Sequence, residues 1–253
     1  MAGRQVEGEA ALRARAREVA RRLARAIPEP RCELRFESPW QLLVATILSA
    51  QSTDRRVNAV TPELFARFPD PASLGSARPA EVERLIRSTG FFRTKARNIR
   101  EASRLLAERH GGVVPRSVED LVRLPGVARK TANLVLGTAY GLATGIVVDT
   151  HVARVATRLE LSRARDPERI ERDLMALLPR RCWVEMGHRL LLHGRYVCQA
   201  RSPACAACPL NEVCPAAAGP AEGRWTSRAD GEAERIRQAL GDPPAPSTRR
   251  RRR

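Results

Sequence analysis

The chain has 253 residues, of which 43% are hydrophobic and 29% are charged, a composition that allows one large core or two smaller ones and excludes wholesale disorder. No stretch approaches the roughly 20 apolar residues of a membrane span, and the N-terminus lacks the apolar segment of a signal peptide, so we expect a cytoplasmic protein without a membrane partner. The 45 Lys and Arg residues against 28 Asp and Glu give a formal charge of +17, which favours a polyanion such as DNA or RNA over a merely solvated basic surface.

Hydrophobic residues recur at helical spacing along most of the chain, and no stretch has the convincing alternation that is typical of strands. Leu12, Val19 and Leu23 predict an amphipathic helix over 9–27, which Pro28 ends. Further helices are predicted at about 39–50, 54–68, 79–88, 93–109, 117–123, 129–139, 151–159, 167–178 and 183–195. Short breaks with Pro or Gly separate them, which suits connections between packed helices. The sequence therefore predicts an all-α fold.

Residues 117–139 combine two helices with a tight turn. Ser117-Val-Glu-Asp120 has the form of a capping box that opens the first helix, and Leu124-Pro-Gly-Val-Ala128 ends it. Gly126 can take a backbone conformation closed to other residues, and amide groups at the turn and at the next helix start favour an anion such as a DNA phosphate. An ordinary helix-to-helix turn is the alternative that a bare Pro-Gly leaves open.

Lys130 follows that turn directly. Lysine occurs only at 95 and 130, so 43 of the 45 basic residues are arginine. Lys130 is thus retained where arginine would serve equally well for a phosphate contact. Arginine cannot form a Schiff base because its guanidinium stays protonated, so a nucleophilic role competes here with that of a solvated surface charge.

Asp149 lies in the segment Val147-Val-Asp-Thr-His151, at the position of a helix N-cap. Local sequence alone leaves open whether this carboxylate only caps the helix or also takes part in chemistry. The two roles are compatible, because a carboxylate held by amide groups can also stabilise a nearby positive charge.

Four cysteines lie near the end of the predicted helical region, separated by six, two and five residues: Cys198, Cys205, Cys208 and Cys214. Four thiolates can hold a [4Fe–4S] cluster or a zinc ion. A third interpretation, a pair of disulfides, is disfavoured because the cytoplasm keeps thiols reduced. Cys32 and Cys182 lie outside this set and suit buried apolar side chains.

Beyond residue 216 the apolar rhythm is lost, and the chain ends in a Pro-rich segment followed by the run Arg249 to Arg253. We expect 217–253 to be a disordered basic tail with one short helix near 232–240. It is either a tolerated extension or an arm that adds non-specific DNA affinity.

The hairpin, the Val-Asp-Thr-His segment and the cysteine spacing resemble the endonuclease III family of helix-hairpin-helix DNA glycosylases, and the resemblance extends over roughly residues 20–215. The family's hairpin usually reads Leu-Pro-Gly-Val-Gly, from which this chain departs at Ala128. The resemblance implies a bifunctional DNA glycosylase and AP lyase of base-excision repair. Its expected partner is double-stranded DNA with oxidised pyrimidines or abasic sites, and we expect a monomer of bacterial type that associates with the nucleoid.

The resemblance also implies a role for each candidate residue. Lys130 is the nucleophile that attacks sugar C1′ and forms a Schiff base, which leads to β-elimination on the 3′ side. Asp149 is the catalytic carboxylate, which is expected to face Lys130. Gln51 fills the hole left by the extruded base, and Phe91 wedges the opposite strand. The DNA-binding set is Gln51, Phe91, Gly126, Val127, Ala128, Arg129, His151 and Arg201, and the ligands of a [4Fe–4S] cluster are Cys198, Cys205, Cys208 and Cys214.

Two helical domains with a cleft between them are implied in the same way. A six-helix barrel domain over 33–143 carries the helix-hairpin-helix, and an iron–sulfur cluster domain combines 9–32 with 144–216. Two other functions stay open: a related glycosylase that prefers mismatched bases, and a non-catalytic helix-hairpin-helix module that binds DNA. The second leaves the pair of Lys130 and Asp149 as a coincidence.

Overall fold

The computed structural model describes residues 8–241, and within that range every regular element is helical and no strand occurs. The all-α prediction is confirmed. The described α-helices are α1 (Glu9–Ala26), α2 (Pro39–Ser49), α3 (Asp54–Arg67), α4 (Pro71–Ser76), α5 (Pro79–Ile86), α6 (Phe92–His110), α7 (Val118–Leu121), α8 (Arg129–Tyr140), α9 (Thr150–Arg158), α10 (Pro167–Leu177), α11 (Trp183–Tyr196) and α12 (Trp225–Leu240).

The helices predicted before residue 216 are all present, with bounds that differ by at most two residues. The sequence missed α4, which has only six residues. Asp70 starts this helix by accepting a hydrogen bond from the Ser73 amide at 2.8 Å, and Pro71 occupies its first turn. So short a helix carries too few apolar positions for a periodic signal.

The helices form two compact units, of which one is Cys32–Gly145. Its core centres on α2, whose residues from Leu42 to Leu48 are all buried. Ser38 caps this helix by accepting from the Gln41 amide at 3.2 Å. Trp40 packs among the buried residues and donates from its ring nitrogen to Ser103 Oγ at 3.0 Å, which satisfies its polar atom inside the core.

The other unit comprises the described parts of Met1–Arg31 and Ile146–Arg253. Val19 and Leu23 of α1 pack with Val152 of α9, Ile170 of α10 and Leu190 of α11 in one hydrophobic cluster. Helix α1, at the start of the chain, therefore packs in a core that is formed mainly by helices from the second half of the chain. No helix among the described residues is long and apolar enough to cross a membrane.

The predicted disordered tail is wrong for residues up to 241, because α12 runs for 16 residues and not merely over 232–240. Ala229 and Ile236 of α12 are buried against Ala26, Ile27 and Leu192. Few residues of α12 are apolar, so its pattern looked solvated, and its burial depends on charged side chains whose partners lie far away in sequence. The last part of the predicted tail, including the arginine run at 249–253, lies outside the described residues.

Candidate functional site

The helix-hairpin-helix element lies in the unit Cys32–Gly145. Ser117 opens α7, since its Oγ accepts from the Asp120 amide at 3.1 Å and donates to Asp120 Oδ2 at 2.7 Å. The Val127 amide donates to the Leu124 carbonyl at 3.1 Å and closes the turn before α8 begins. Leu121, Leu124 and Val127 are buried and anchor the hairpin in the core.

The structure places Val127, one of the predicted DNA contacts, with its side chain inside the unit. Its side chain is buried and its amide is bonded to Leu124, so both are committed inside the unit. Gly126, Ala128 and Arg129 are exposed beside it and are the hairpin residues that can face a ligand. Ala128 has φ −92° and ψ 170°, extended backbone that any residue adopts, so this position needs no glycine.

Gly126 is required for two independent reasons. Its φ is +80°, in the left-handed region that favours glycine. A Cβ at this position would also lie 2.9 Å from Asn98 Nδ2 and 3.2 Å from Ile47 Cγ2. The hairpin therefore approaches the core more closely than any side chain permits.

We expect Gly126→Ala to destabilise the protein more than Gly141→Ala. Gly141 also has a positive φ, +67°, but a Cβ there meets nothing within 4 Å. The control should cost about 1–2 kcal/mol of backbone strain, and Gly126→Ala about 1–3 kcal/mol more from overpacking. Denaturant unfolding measures both changes, and affinity for duplex DNA should fall only in Gly126→Ala. Equal losses of stability in the two variants would contradict the close approach.

The chain's two lysines lie in contrasting surroundings. Lys130 is the second residue of α8 and is exposed, just after a helix start at which Ala128 provides no side-chain cap. Lys95 is only 4% exposed and donates from Nζ to the Thr89 carbonyl at 2.8 Å. Burial lowers the pKa of the Lys95 amine, but its position inside the unit keeps it from an external ligand. Of the two lysines, Lys130 is therefore the one that is accessible to an external molecule.

Gln51 and Phe91 both occupy exposed loops with left-handed backbone, at φ 53° and 49°. Phe91 is 67% exposed, which is unusual for an aromatic side chain that has no partner to cover it. The loop around it is held by the bond from Lys95 to Thr89 and by the Lys95 amide, which donates to the Phe91 carbonyl at 3.0 Å. Such strain in non-glycine residues costs about 1–3 kcal/mol and concentrates at functional loops.

Asp149 caps α9, in the unit that contains Ile146–Arg253. Its Oδ1 accepts from the amides of His151 at 2.9 Å and Val152 at 2.8 Å. The cap thus uses one carboxylate oxygen and holds the half-buried side chain in a defined orientation. The predicted N-cap is confirmed.

His151 lies where α9 packs closely on α11. A Cβ on Gly194 would lie 3.0 Å from His151 Cβ, so the missing side chain at Gly194 allows the two helices to approach closely. Arg154 Nη2 is 3.2 Å from His151 Nδ1 and donates to the Gly194 carbonyl at 2.7 Å. Arg201 is exposed between the first two cysteines of the set.

The four cysteines of the spaced set line one cavity of about 130 Å³, and no disulfide bond joins any cysteines among the described residues. Among the described residues, no three His, Cys, Asp or Glu side chains are close enough together to hold a single metal ion. Four cysteine sulfurs around one cavity are the donor set that an iron–sulfur cluster uses.

Polar groups from helix α9 and from the cysteine loop itself point at these sulfurs. Arg158 of α9 donates from Nη1 to Cys198 Sγ at 3.2 Å, and the Leu210 amide donates to Cys208 Sγ at 3.4 Å. Burial opposes ionisation of Cys198, but hydrogen bonds from His193 and Arg158 lower the pKa of its thiol below the ordinary value. Sequence reasoning missed Arg158, because an arginine on a helix gives no signal of its partner 40 residues away.

Comparison with protein families gives two matches. Residues 44–180 match the HhH-GPD superfamily of base excision DNA repair proteins. Residues 198–214, which begin and end at the first and last cysteine of the set, match the iron-sulfur binding domain of endonuclease III.

Individual proteins show the same similarity. Endonuclease III of Synechocystis sp. is 52% identical over 203 residues, which cover 80% of this chain and 93% of that protein. Endonuclease III of Escherichia coli K12 is 42% identical over 197 residues, which cover 78% and 93%. The solved structure of a trapped endonuclease III–DNA covalent intermediate is similar with a TM-score of 0.77 and 41% identity, and the match covers 81% of this chain and 96% of that one.

Proposed function

This chain belongs to the endonuclease III family of base-excision DNA repair proteins, and from that membership we propose that it removes oxidised pyrimidines from double-stranded DNA with Lys130 as its nucleophile. It is a DNA glycosylase and AP lyase that carries a [4Fe–4S] cluster. The proposed cluster ligands are the four cysteines Cys198, Cys205, Cys208 and Cys214.

The observation that carries the proposal is the contrast between the two lysines. Lys130 is exposed directly after the hairpin, whereas the amine of Lys95 is buried and bonded to a backbone carbonyl. A solved relative at 41% identity is described as a trapped covalent intermediate with DNA. A covalent step in this chain needs an accessible amine, and Lys130 supplies it.

The proposed reaction begins when the neutral amine of Lys130 attacks C1′ of the extruded nucleotide. The bond between C1′ and the base breaks, and the base leaves with the electron pair and takes up a proton. Opening of the sugar ring then gives an imine between Nζ and C1′. Loss of a C2′ proton expels the 3′ phosphate, which cuts the strand, and water releases the amine.

We propose that Asp149 stabilises the positive charge that develops during these reaction steps. Two amide hydrogen bonds hold its carboxylate, so it need not reorganise when positive charge develops on the sugar and the imine. A fixed negative charge of this kind lowers the barrier more than a mobile one in water.

The DNA-binding role is proposed for groups that the structure leaves exposed. Gly126, Ala128 and Arg129, exposed at the hairpin and the start of α8, are the proposed phosphate contacts, and Gln51 and Phe91, exposed on loops, are the proposed contacts with the base stack. His151 and Arg201 are proposed contacts in the other unit. A bound iron–sulfur cluster would order the loop on which Arg201 lies. We also propose that the protein acts as a monomer.

A panel of matched duplexes tests the substrate. Duplexes that differ at one position, with thymine glycol, a G·T mismatch or no damage, are incubated with the protein, and base release and strand cleavage are measured. We expect release from the oxidised pyrimidine to be about tenfold faster or more than from the mismatch. Faster release from the mismatch would establish the related mismatch glycosylase, and binding without release from any duplex would establish a non-catalytic module.

A further inference from the structure

The C-terminal helix α12 lies outside both matched family segments, yet it contacts the loop that carries the cysteines. Arg228 of α12 is buried and donates from Nε to the Cys208 carbonyl at 2.8 Å. Its Nη2 donates to Glu212 Oε1 at 2.6 Å, and its Nη1 reaches the Gly223 carbonyl. One side chain of α12 therefore binds the ligand loop at a cysteine and again between Cys208 and Cys214.

Helix α1 holds the same loop from its other side. Arg22 donates to the Pro209 carbonyl at 2.8 Å and pairs with Glu212. Hydrogen bonds from Arg228 and Arg22 together lower the pKa of Glu212 below its ordinary value. The ring of Trp225, at the start of α12, stacks under the Arg22 guanidinium at 5.0 Å. The loop is thus held between the first and the last described helices of the chain.

A second residue of α12, Glu232, contacts a histidine that lies beside one of the cysteines. His193 of α11 and Glu232 of α12 are 1% and 2% exposed, and His193 Nδ1 is 2.8 Å from Glu232 Oε1. His193 Nε2 lies 3.8 Å from Cys208 Sγ. Glu232 Oε2 has no hydrogen-bond partner among the described residues. The contact between Oε1 and His193 is therefore the interaction that offsets the cost of removing this carboxylate from water. Glu232 therefore fixes the orientation of the ring that faces the sulfur.

We propose that α12 is a clasp for the iron–sulfur centre: Arg228 fixes the ligand loop, Glu232 fixes His193 against Cys208, and together they slow the loss of the cluster. A cluster is lost when its loop opens and solvent or a chelator reaches the iron. Groups that hold and orient metal ligands typically contribute 10–100-fold to metal retention. Both are positioning residues, because Arg228 acts through the loop backbone and Glu232 acts through His193.

Point variants test the clasp, because removal of α12 would also expose the apolar residues under it. Glu232→Gln keeps the shape of the side chain but replaces a charge-assisted hydrogen bond with a weaker neutral one, and Arg228→Gln removes the bonds to the loop. The matched controls are Glu234→Gln and Arg237→Gln, which break an ion pair of the same helix at partly exposed positions. Each is purified as the full chain with its cluster.

The rate of decay of the cluster's visible absorbance in the presence of an iron(II) chelator is the readout, with iron per chain measured before and after. We expect Glu232→Gln and Arg228→Gln to lose the cluster about tenfold faster than the wild-type chain, and both controls to stay within about twofold. Far-UV circular dichroism verifies that each variant is folded. If Arg228→Gln does not accumulate as a folded protein, the isosteric Glu232→Gln decides. Loss at the control rate overturns the proposal, and because no DNA substrate is used, this result is independent of the proposed reaction.

Discussion

Replacing Lys130 with alanine should abolish the covalent adduct that borohydride traps between the wild-type chain and a duplex with an oxidised pyrimidine. Borohydride reduces the imine and makes it permanent, so the adduct reports the nucleophile directly. The remaining lysine, Lys95, is 4% exposed and donates to a backbone carbonyl, so it cannot take over. We expect strand cleavage to fall by roughly 10³-fold or more, the scale on which loss of a nucleophile acts. Gel electrophoresis of the trapped complex measures the adduct.

Lys130→Arg is the matched control for this experiment. Arginine keeps the positive charge for DNA binding but cannot form an imine. We expect its affinity for the duplex to stay within about threefold of the wild-type value, with no adduct. An adduct that persists in Lys130→Ala would assign the chemistry to another amine. If the wild-type chain releases the base without forming an adduct, water is the nucleophile and Lys130 is a phosphate contact.

Asp149→Asn is expected to slow base release by about 10²–10⁴-fold while the protein stays folded. Asn and Asp are equally good N-caps, so the amide oxygen can still accept from the His151 and Val152 amides. The substitution therefore removes the negative charge and leaves the start of α9 intact. Single-turnover base release on a thymine glycol duplex measures the rate.

Asp149→Ala separates the cap from the charge. This variant loses both, so we expect the free energy of unfolding to fall by about 0.5–2 kcal/mol, against less than about 0.5 kcal/mol for Asp149→Asn. Denaturant unfolding of the two variants gives the comparison. A wild-type rate of base release in Asp149→Asn would reduce Asp149 to a structural cap.

Local patterns in the sequence were sufficient for most of the helices and for the hairpin. Apolar spacing, the Ser117 cap and the Pro-Gly turn act within a few residues, so their outcome does not depend on the rest of the chain. The cap at Asp149 is local in the same sense, and the structure shows it as predicted. The same locality explains why α4 was missed, because six residues are too few to establish a period.

The sequence by itself thus determined the all-α class, the helix-hairpin-helix, the cysteine set and the choice of Lys130 and Asp149 as candidates. Only the tertiary structure decided that Lys95 is buried, that Val127 faces inward, and that Glu232 lies beside the cysteine loop. The physical reason is that a charged side chain is buried only when a partner compensates for the lost water. Glu232 and its partner His193 are 39 residues apart, and Arg22 is separated from the Pro209 carbonyl by 187 residues. The hydrophobic periodicity of the sequence predicts that such charged residues are solvent-exposed, because their partners are distant in sequence and become neighbours only in the folded protein.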